Sequence, residues 1–154
     1  MSRLFLALCV GAHFSFGGTA MLAAQDSTYD QRSLRLERHH GDVRIVRGLE
    51  GTVLGRIGTF RGIDVVKLVS SSENATSEAK KFARDYGPGT SLAALGIATM
   101  GAAIGVSRIN DVNGLITGGL TLAATGLIVY GGGRLENAYN ALSRSIWWYN
   151  RDLK

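Results

Sequence analysis

A chain of 154 residues is long enough for one domain, and a single proline, Pro88, against 21 glycines excludes the proline-rich, charge-rich composition of a disordered chain. The formal net charge of +5 becomes +4 once the first 24 residues, whose one charge is Arg3, are set aside, and so mild an excess does not single out nucleic acid as a partner. The only cysteine, Cys9, falls in that N-terminal stretch, which leaves a processed chain without disulfides, thiolate metal sites or cysteine redox chemistry.

Met1 to Arg3 is a short positive start, Leu4 to Phe16 a mostly apolar run, and Gly17 to Ala24 a small-residue stretch ahead of the polar Gln25, Asp26 and Ser27. This three-part layout predicts a secretory signal over residues 1–24, cleaved after Ala24. An uncleaved anchor helix is the competing reading, with His13 and Ser15 interrupting the apolar run in either case. Leu8 before Cys9 is too bulky for a lipoprotein cleavage box, so lipidation is not expected.

Residues 25–72 read as a small β-rich domain. Between Ser33 and Val69 the β-branched residues Val43, Ile45, Val53, Ile57, Ile63, Val65, Val66 and Val69 follow a two-residue period, punctuated by Gly41, Gly48, Gly51, Gly55, Gly58 and Gly62. The pattern predicts three or four short antiparallel strands, too small a sheet to stand alone and therefore packed on another element. Seven arginines between Arg32 and Arg61, against Glu37, Asp42 and Glu50, place guanidinium groups on this sheet, suited either to phosphate or simply to solvent. Gly51, Gly55 and Gly58 lack the closing Lys and Ser/Thr of a phosphate-binding loop.

His39, His40 and Asp42 are the only cluster of metal-ligating residue types. Adjacent histidines on a strand point to opposite faces, and no third and fourth ligand accompanies them. They are also the only histidines of a processed chain, so a small hydrolase or metal-dependent enzyme would have to use His39 or His40, and no serine is marked as a partner. No catalytic, cofactor-binding or metal residue is assigned, and the chain is read as non-enzymatic.

From Ser70 the period changes. Ser72 or Asn74 can cap a helix on which Ala75, Ala79, Phe82, Ala83 and Tyr86 share a face, and Gly87, Pro88 and Gly89 predict its end, giving an amphipathic helix and linker over 73–89. Residues 90–133 then read as a transmembrane helical hairpin: Thr90 to Val106 and Leu115 to Gly133 carry no charge, and each is close to the roughly 17 residues needed to span hydrocarbon. A buried hairpin in a soluble oligomer is the alternative. Ala94, Ala98, Gly101 and Gly105 recur at intervals of four, three and four, and Gly119, Ala123 and Gly126 likewise, with Gly133 one heptad further. These eight residues predict a helix-packing seam where backbones approach closely, the mode of association that small-xxx-small helices use in lipid. Ser107 to Gly114, reading SRINDVNG, supplies the reversal.

After Gly131 to Gly133 a separate C-terminal amphipathic helix is expected over 134–154, with Leu135, Ala138, Tyr139, Leu142, Ile146 and Tyr149 on or near one face. Trp147, Trp148 and Tyr149 beside Arg144, Arg151 and Lys154, together with Tyr130, have the aromatic and cationic character of a membrane boundary; packing on the strand domain is the other use for them. If a signal exports the N-terminus, Lys80, Lys81, Arg84, Arg134 and Arg144 all lie outside, against the positive-inside rule. The orientation and the choice of inner or outer membrane stay open, with the inner membrane favoured.

This layout of signal, short strands, amphipathic helix, glycine-rich hairpin and a tail ending in Trp147, Trp148, Tyr149 and Asn150 resembles small exported envelope proteins of Gram-negative bacteria. The resemblance implies a compartment and carries no activity with it. The expected protein is an α+β, membrane-associated envelope component that contacts lipid, not nucleic acid, and uses its small-residue seam for self-association or for docking an envelope partner. A pore-forming or membrane-perturbing assembly is the alternative.

Overall fold

A computed structural model describes residues 29–39, 42–58, 62–108 and 114–153 of the chain. The signal-like segment, His40, Gly41, Lys154 and most of the SRINDVNG reversal lie outside the described residues. Three strands, β1 (Leu34–His39), β2 (Asp42–Arg47) and β3 (Thr52–Ile57), form an antiparallel sheet in sequence order. A one-turn helix α1 (Val65–Leu68) leads into two long helices, α2 (Glu73–Ser107) and α3 (Gly114–Arg151). The fold class is therefore α+β, with three strands followed by helices.

The β2–β3 turn depends on Gly48 and Gly51, whose φ angles of 69° and 71° lie in the left-handed region that side chains disfavour. The register slips by one residue between Ile45 and Val46, where Leu54 is the extra residue of a bulge in β3. Leu34, Ile45 and Ile57 are buried on the inner face of the sheet and share one core with Val65, Val69, Ala75, Ala79 and Phe82 and with Ala138, Leu142, Ile146 and Tyr149 of α3. A three-stranded sheet this small gains its stability by covering the base of the helix pair.

The edge of β1 is closed by a side chain. Asn150 accepts a hydrogen bond from Leu34 N and donates one to Leu34 O, both at 2.7 Å, so its amide does what a fourth strand's backbone would do there. Close by, Ser72 caps α2 by accepting from Ala75 N at 3.2 Å while its hydroxyl donates to Asp152 at 2.6 Å, tying the start of α2 to the end of α3.

Two of the expected helix boundaries do not exist. α2 is a single helix of 35 residues that runs through Gly87, Pro88 and Gly89, and α3 a single helix of 38 residues that runs through Gly131, Gly132 and Gly133. The amphipathic helices expected at 73–89 and 134–154 are thus the basal halves of the hairpin helices. Pro88 removes one hydrogen bond and crowds the preceding turn, a cost of about 3 kcal/mol. Two residues on, the Thr90 hydroxyl bonds back to the helix, lying 2.8 Å from Gly87 O and 3.1 Å from Tyr86 O. Packing of α2 along α3 then overrides a local stop signal, because Gly89 and Gly131 are used for close approach and not as terminators.

Candidate functional site: two faces of the helical hairpin

On α2 the buried residues Ala75, Phe82, Gly89, Gly96 and Ala103 recur every seven positions, and on α3 Ala124, Gly131, Ala138 and Ser145 do the same. Seven is the period at which two helices stay face to face along their length. The contacts share one antiparallel register: Ser145 Oγ donates to Ala75 O at 2.9 Å, Gly131 lies against Gly89 and Ala93, and Gly96 lies against Ala124 and Ile128. A Cβ added at Gly131 would sit 2.7 Å from Ala93 N, and one at Gly96 would sit 2.7 Å from Ile128 Cγ1 and 2.9 Å from Ala124 O. Backbone and side-chain atoms of the partner helix thus lie closer than a Cβ at either glycine would allow.

The seam expected from sequence lies elsewhere. Ala94, Ala98, Gly101, Gly105, Gly119, Ala123, Gly126 and Gly133 are all exposed, and a Cβ at any of the five glycines among them meets nothing within 4 Å. At 100° per residue most of them sit about 200° round the helix from the contact positions. As the line where α2 meets α3, the eight-residue seam is corrected to the heptad series above; the eight residues form a second small-residue face on the back of the hairpin.

The two halves of the hairpin differ in where their large side chains point. Near the sheet Phe82, Leu142, Ile146 and Tyr149 turn inward. In the apolar half Leu95, Ile97, Ile104, Leu115, Ile116, Leu122 and Val129 are between 52% and 82% exposed, and only Gly96, Ala103, Ala124 and Gly131 are buried. Both helices are long and apolar enough to cross a membrane, and only 17% and 11% of their most apolar windows is covered within the chain.

Where the uncharged stretches begin, Tyr130 is exposed with the Arg134 guanidinium 5.4 Å from its ring centre. Arg134 and Arg84 approach the same carboxylate, Asp85, at 3.8 and 3.1 Å, and Arg84 first, with Arg134, holds Asp85 below the usual carboxylate range. At the next residue, burial pushes the Tyr86 hydroxyl up to about 12, assisted by Tyr139 and by the charge of Asp42 at the head of β2. The Leu34 end of the sheet lies at Asn150, while Val43, toward its other end, packs against the same core as Tyr86.

Trp147 and Trp148 do not belong to that junction. They lie 17 and 18 residues beyond Tyr130 on one continuous helix, on the order of 26 Å along its axis. There they flank Arg151, whose guanidinium is 5.5 Å from the Trp147 ring and 4.3 Å from Trp148. Tyr149 is a core residue, 9% exposed, and Trp148 packs against the same core. Of the four aromatic residues expected to share one boundary, Tyr130 alone is at the start of the apolar half; the expectation failed because it assumed a break at Gly131 to Gly133 that would have let the last helix fold back.

Among the described residues, chemistry-bearing groups do not converge elsewhere, and no group of three or more His, Cys, Asp or Glu side chains is placed to hold a metal ion. His39 ends β1 opposite Asp42, and His40 is outside the described residues. An open hollow of about 450 Å³ at the base of the molecule is lined by Arg32, Arg47, Ser71, Tyr149, Asp152 and Leu153, without a base positioned on a nucleophile. No protein-family model, curated protein or solved structure matches the chain.

Proposed function

We propose that the chain is a non-enzymatic membrane protein of the bacterial cell envelope, anchored by the apolar half of its hairpin and self-associating through the small-residue face on the hairpin's back. The observation that carries this reading is the inside-out half: seven large aliphatic side chains point outward from a seam made of Gly and Ala. In water, leaving that many Leu, Ile and Val side chains uncovered forgoes on the order of 10 kcal/mol of burial. In hydrocarbon the same arrangement is the stable one, because lipid solvates the large side chains and the helices are held together by backbone proximity. The tilt of the charged residues agrees, with the sheet and the basal halves of both helices carrying nearly all of them.

Glycines with open space beside them give the association surface. Each of Gly101, Gly105, Gly119, Gly126 and Gly133 weakens its helix by about 1 kcal/mol relative to Ala and gains nothing within the monomer. A second hairpin laid along this face recovers the cost as close helix contact. The test is crosslinking of the full chain in its native membrane, comparing the natural sequence with Gly101→Leu and Gly126→Leu. Self-association predicts loss of crosslinked oligomers with the monomer fold intact, and unchanged crosslinking contradicts it.

A further inference from the structure

We propose that the outer face of the sheet is a contact site for the phosphate groups of anionic lipids, centred on Arg44 and Arg56; this rests on the membrane reading above. Alternation along the strands sends Leu34, Leu36, Val43 and Ile45 inward, so Arg35, Glu37 and Arg44 face away from the helices. Arg56 precedes the buried Ile57 and stands directly across from Arg44, which on its other side is paired in register with Glu37. The carboxylate that ought to neutralise Arg44 is already committed, since Glu37 is held by Arg35 on its own strand at 2.9 Å. Two like charges directly opposite in a sheet repel each other. In addition, Arg44 Nε is buried with no hydrogen-bond partner, an unsatisfied charged donor of the kind that native folds avoid. No ion pair involves Arg44 or Arg56 among the described residues.

An anion held between the two guanidinium groups offsets their repulsion, and phosphate oxygens fit arginine forks well. The position of the pair selects the source. The Leu34 end of the sheet is held at Asn150, about 25 Å along α3 from Gly133, where the uncharged stretch ends. β1 packs on α3, and Arg44, in register with Glu37, stands about 10 Å along the sheet from Leu34 toward the β1–β2 end. Arg44 and Arg56 therefore root roughly 15 Å from the apolar half at closest, and the headgroup layer occupies about 5–7 Å of that distance. Long arginine side chains span the remainder, reaching down toward the polar layer. Arg134 and Arg84, sharing the single carboxylate of Asp85, add positive charge nearer the apolar half.

The experiment uses the full chain in neutral detergent and measures, by native mass spectrometry, retention of phosphatidylglycerol against phosphatidylcholine. The natural chain should prefer phosphatidylglycerol at least tenfold, and Arg44→Gln with Arg56→Gln should bring the preference within twofold. Arg32→Gln with Arg47→Gln removes the same charge at the base of the molecule and should keep the preference. Arg44→Lys with Arg56→Lys, which keeps the charge, should retain part of it and guards against a folding defect. The proposal is overturned if the glutamine pair retains the lipid as the natural chain does, if the basal pair loses it equally, or if inorganic phosphate occupies the site with no preference between the lipids. Carbonate extraction of the same membranes separates the two readings: a chain that stays in the pellet without lipid preference overturns this proposal alone, and a chain released by carbonate overturns the membrane reading as well.

Discussion

The basal and apolar halves of the hairpin are built on one heptad seam and differ in what surrounds it. In the basal half the small residues Ala75, Ala138 and Ser145 set the helix spacing, while Phe82, Leu142, Ile146 and Tyr149 fill the volume under the sheet. In the apolar half Gly96, Ala103, Ala124 and Gly131 set the spacing, and seven large aliphatic side chains are left exposed. Small residues thus fix how two helices meet, and the direction of the large residues fixes which solvent each half suits.

The strongest way to break the comparison is to put bulk into the seam. Gly131→Leu places atoms where Ala93 N already stands at 2.7 Å, so the backbones must separate, and a loss of 3 kcal/mol or more, at or above the usual overpacking range of about 1–3 kcal/mol, is the expected result in denaturation of the detergent-solubilised chain. Gly126→Leu, on the back of the same helix, should leave that transition unchanged. Next in size, Leu142→Ala empties a fully buried core position and should cost about 2–5 kcal/mol, whereas Leu122→Ala, at a residue 76% exposed, should cost little in the same assay. Asn150→Ala removes both hydrogen bonds to Leu34, with an expected loss of about 1–3 kcal/mol and faster amide exchange at Leu34.

The smallest effect concerns pH. Glu78 bridges Lys81 on its own helix and Arg144 on α3, and the hydrogen bond from Lys81, ahead of Arg144, holds its carboxyl below the ordinary value of 4.5. A carboxylate lowered in the folded state binds fewer protons than in the unfolded chain, so its contribution is full above pH 4.5 and disappears as the pH falls through the lowered value. Glu78→Gln should therefore cost less than about 1 kcal/mol at neutral pH, and the difference from the natural chain should close in acid. A difference that widened in acid would contradict the assignment.

Composition and period made the main elements legible. The β-branched alternation over Val43 to Ile57 placed the sheet, and the two uncharged stretches placed the apolar helices. Ser72 was legible as a cap because a hydroxyl before an apolar period has few other uses. Helix ends were misread, since Gly87 to Gly89 and Gly131 to Gly133 carry strong local stop signals and only the partner helix explains why they fail. The seam between α2 and α3 went unread for a related reason. Both faces of the hairpin carry small residues at helical spacing, and the four-three-four stripe through Gly101 and Gly105 is the denser of the two. The heptad through Ala75, Phe82, Gly89, Gly96 and Ala103 was available in the sequence, but only when followed across Pro88 does it show its full length. Pairing of Glu37 with Arg35, which leaves Arg44 unsatisfied, is a tertiary choice that no residue pattern announces.

Labelling of single cysteines in native membranes tests the central claim most directly. In a Cys9→Ser background, Leu122→Cys and Asn140→Cys are both exposed in the folded chain, one in each half of the hairpin. With a membrane-impermeant maleimide applied to both sides of the bilayer, residue 140 should label at once and residue 122 only after detergent is added. Equal labelling of the two without detergent would contradict a lipid-embedded apolar half.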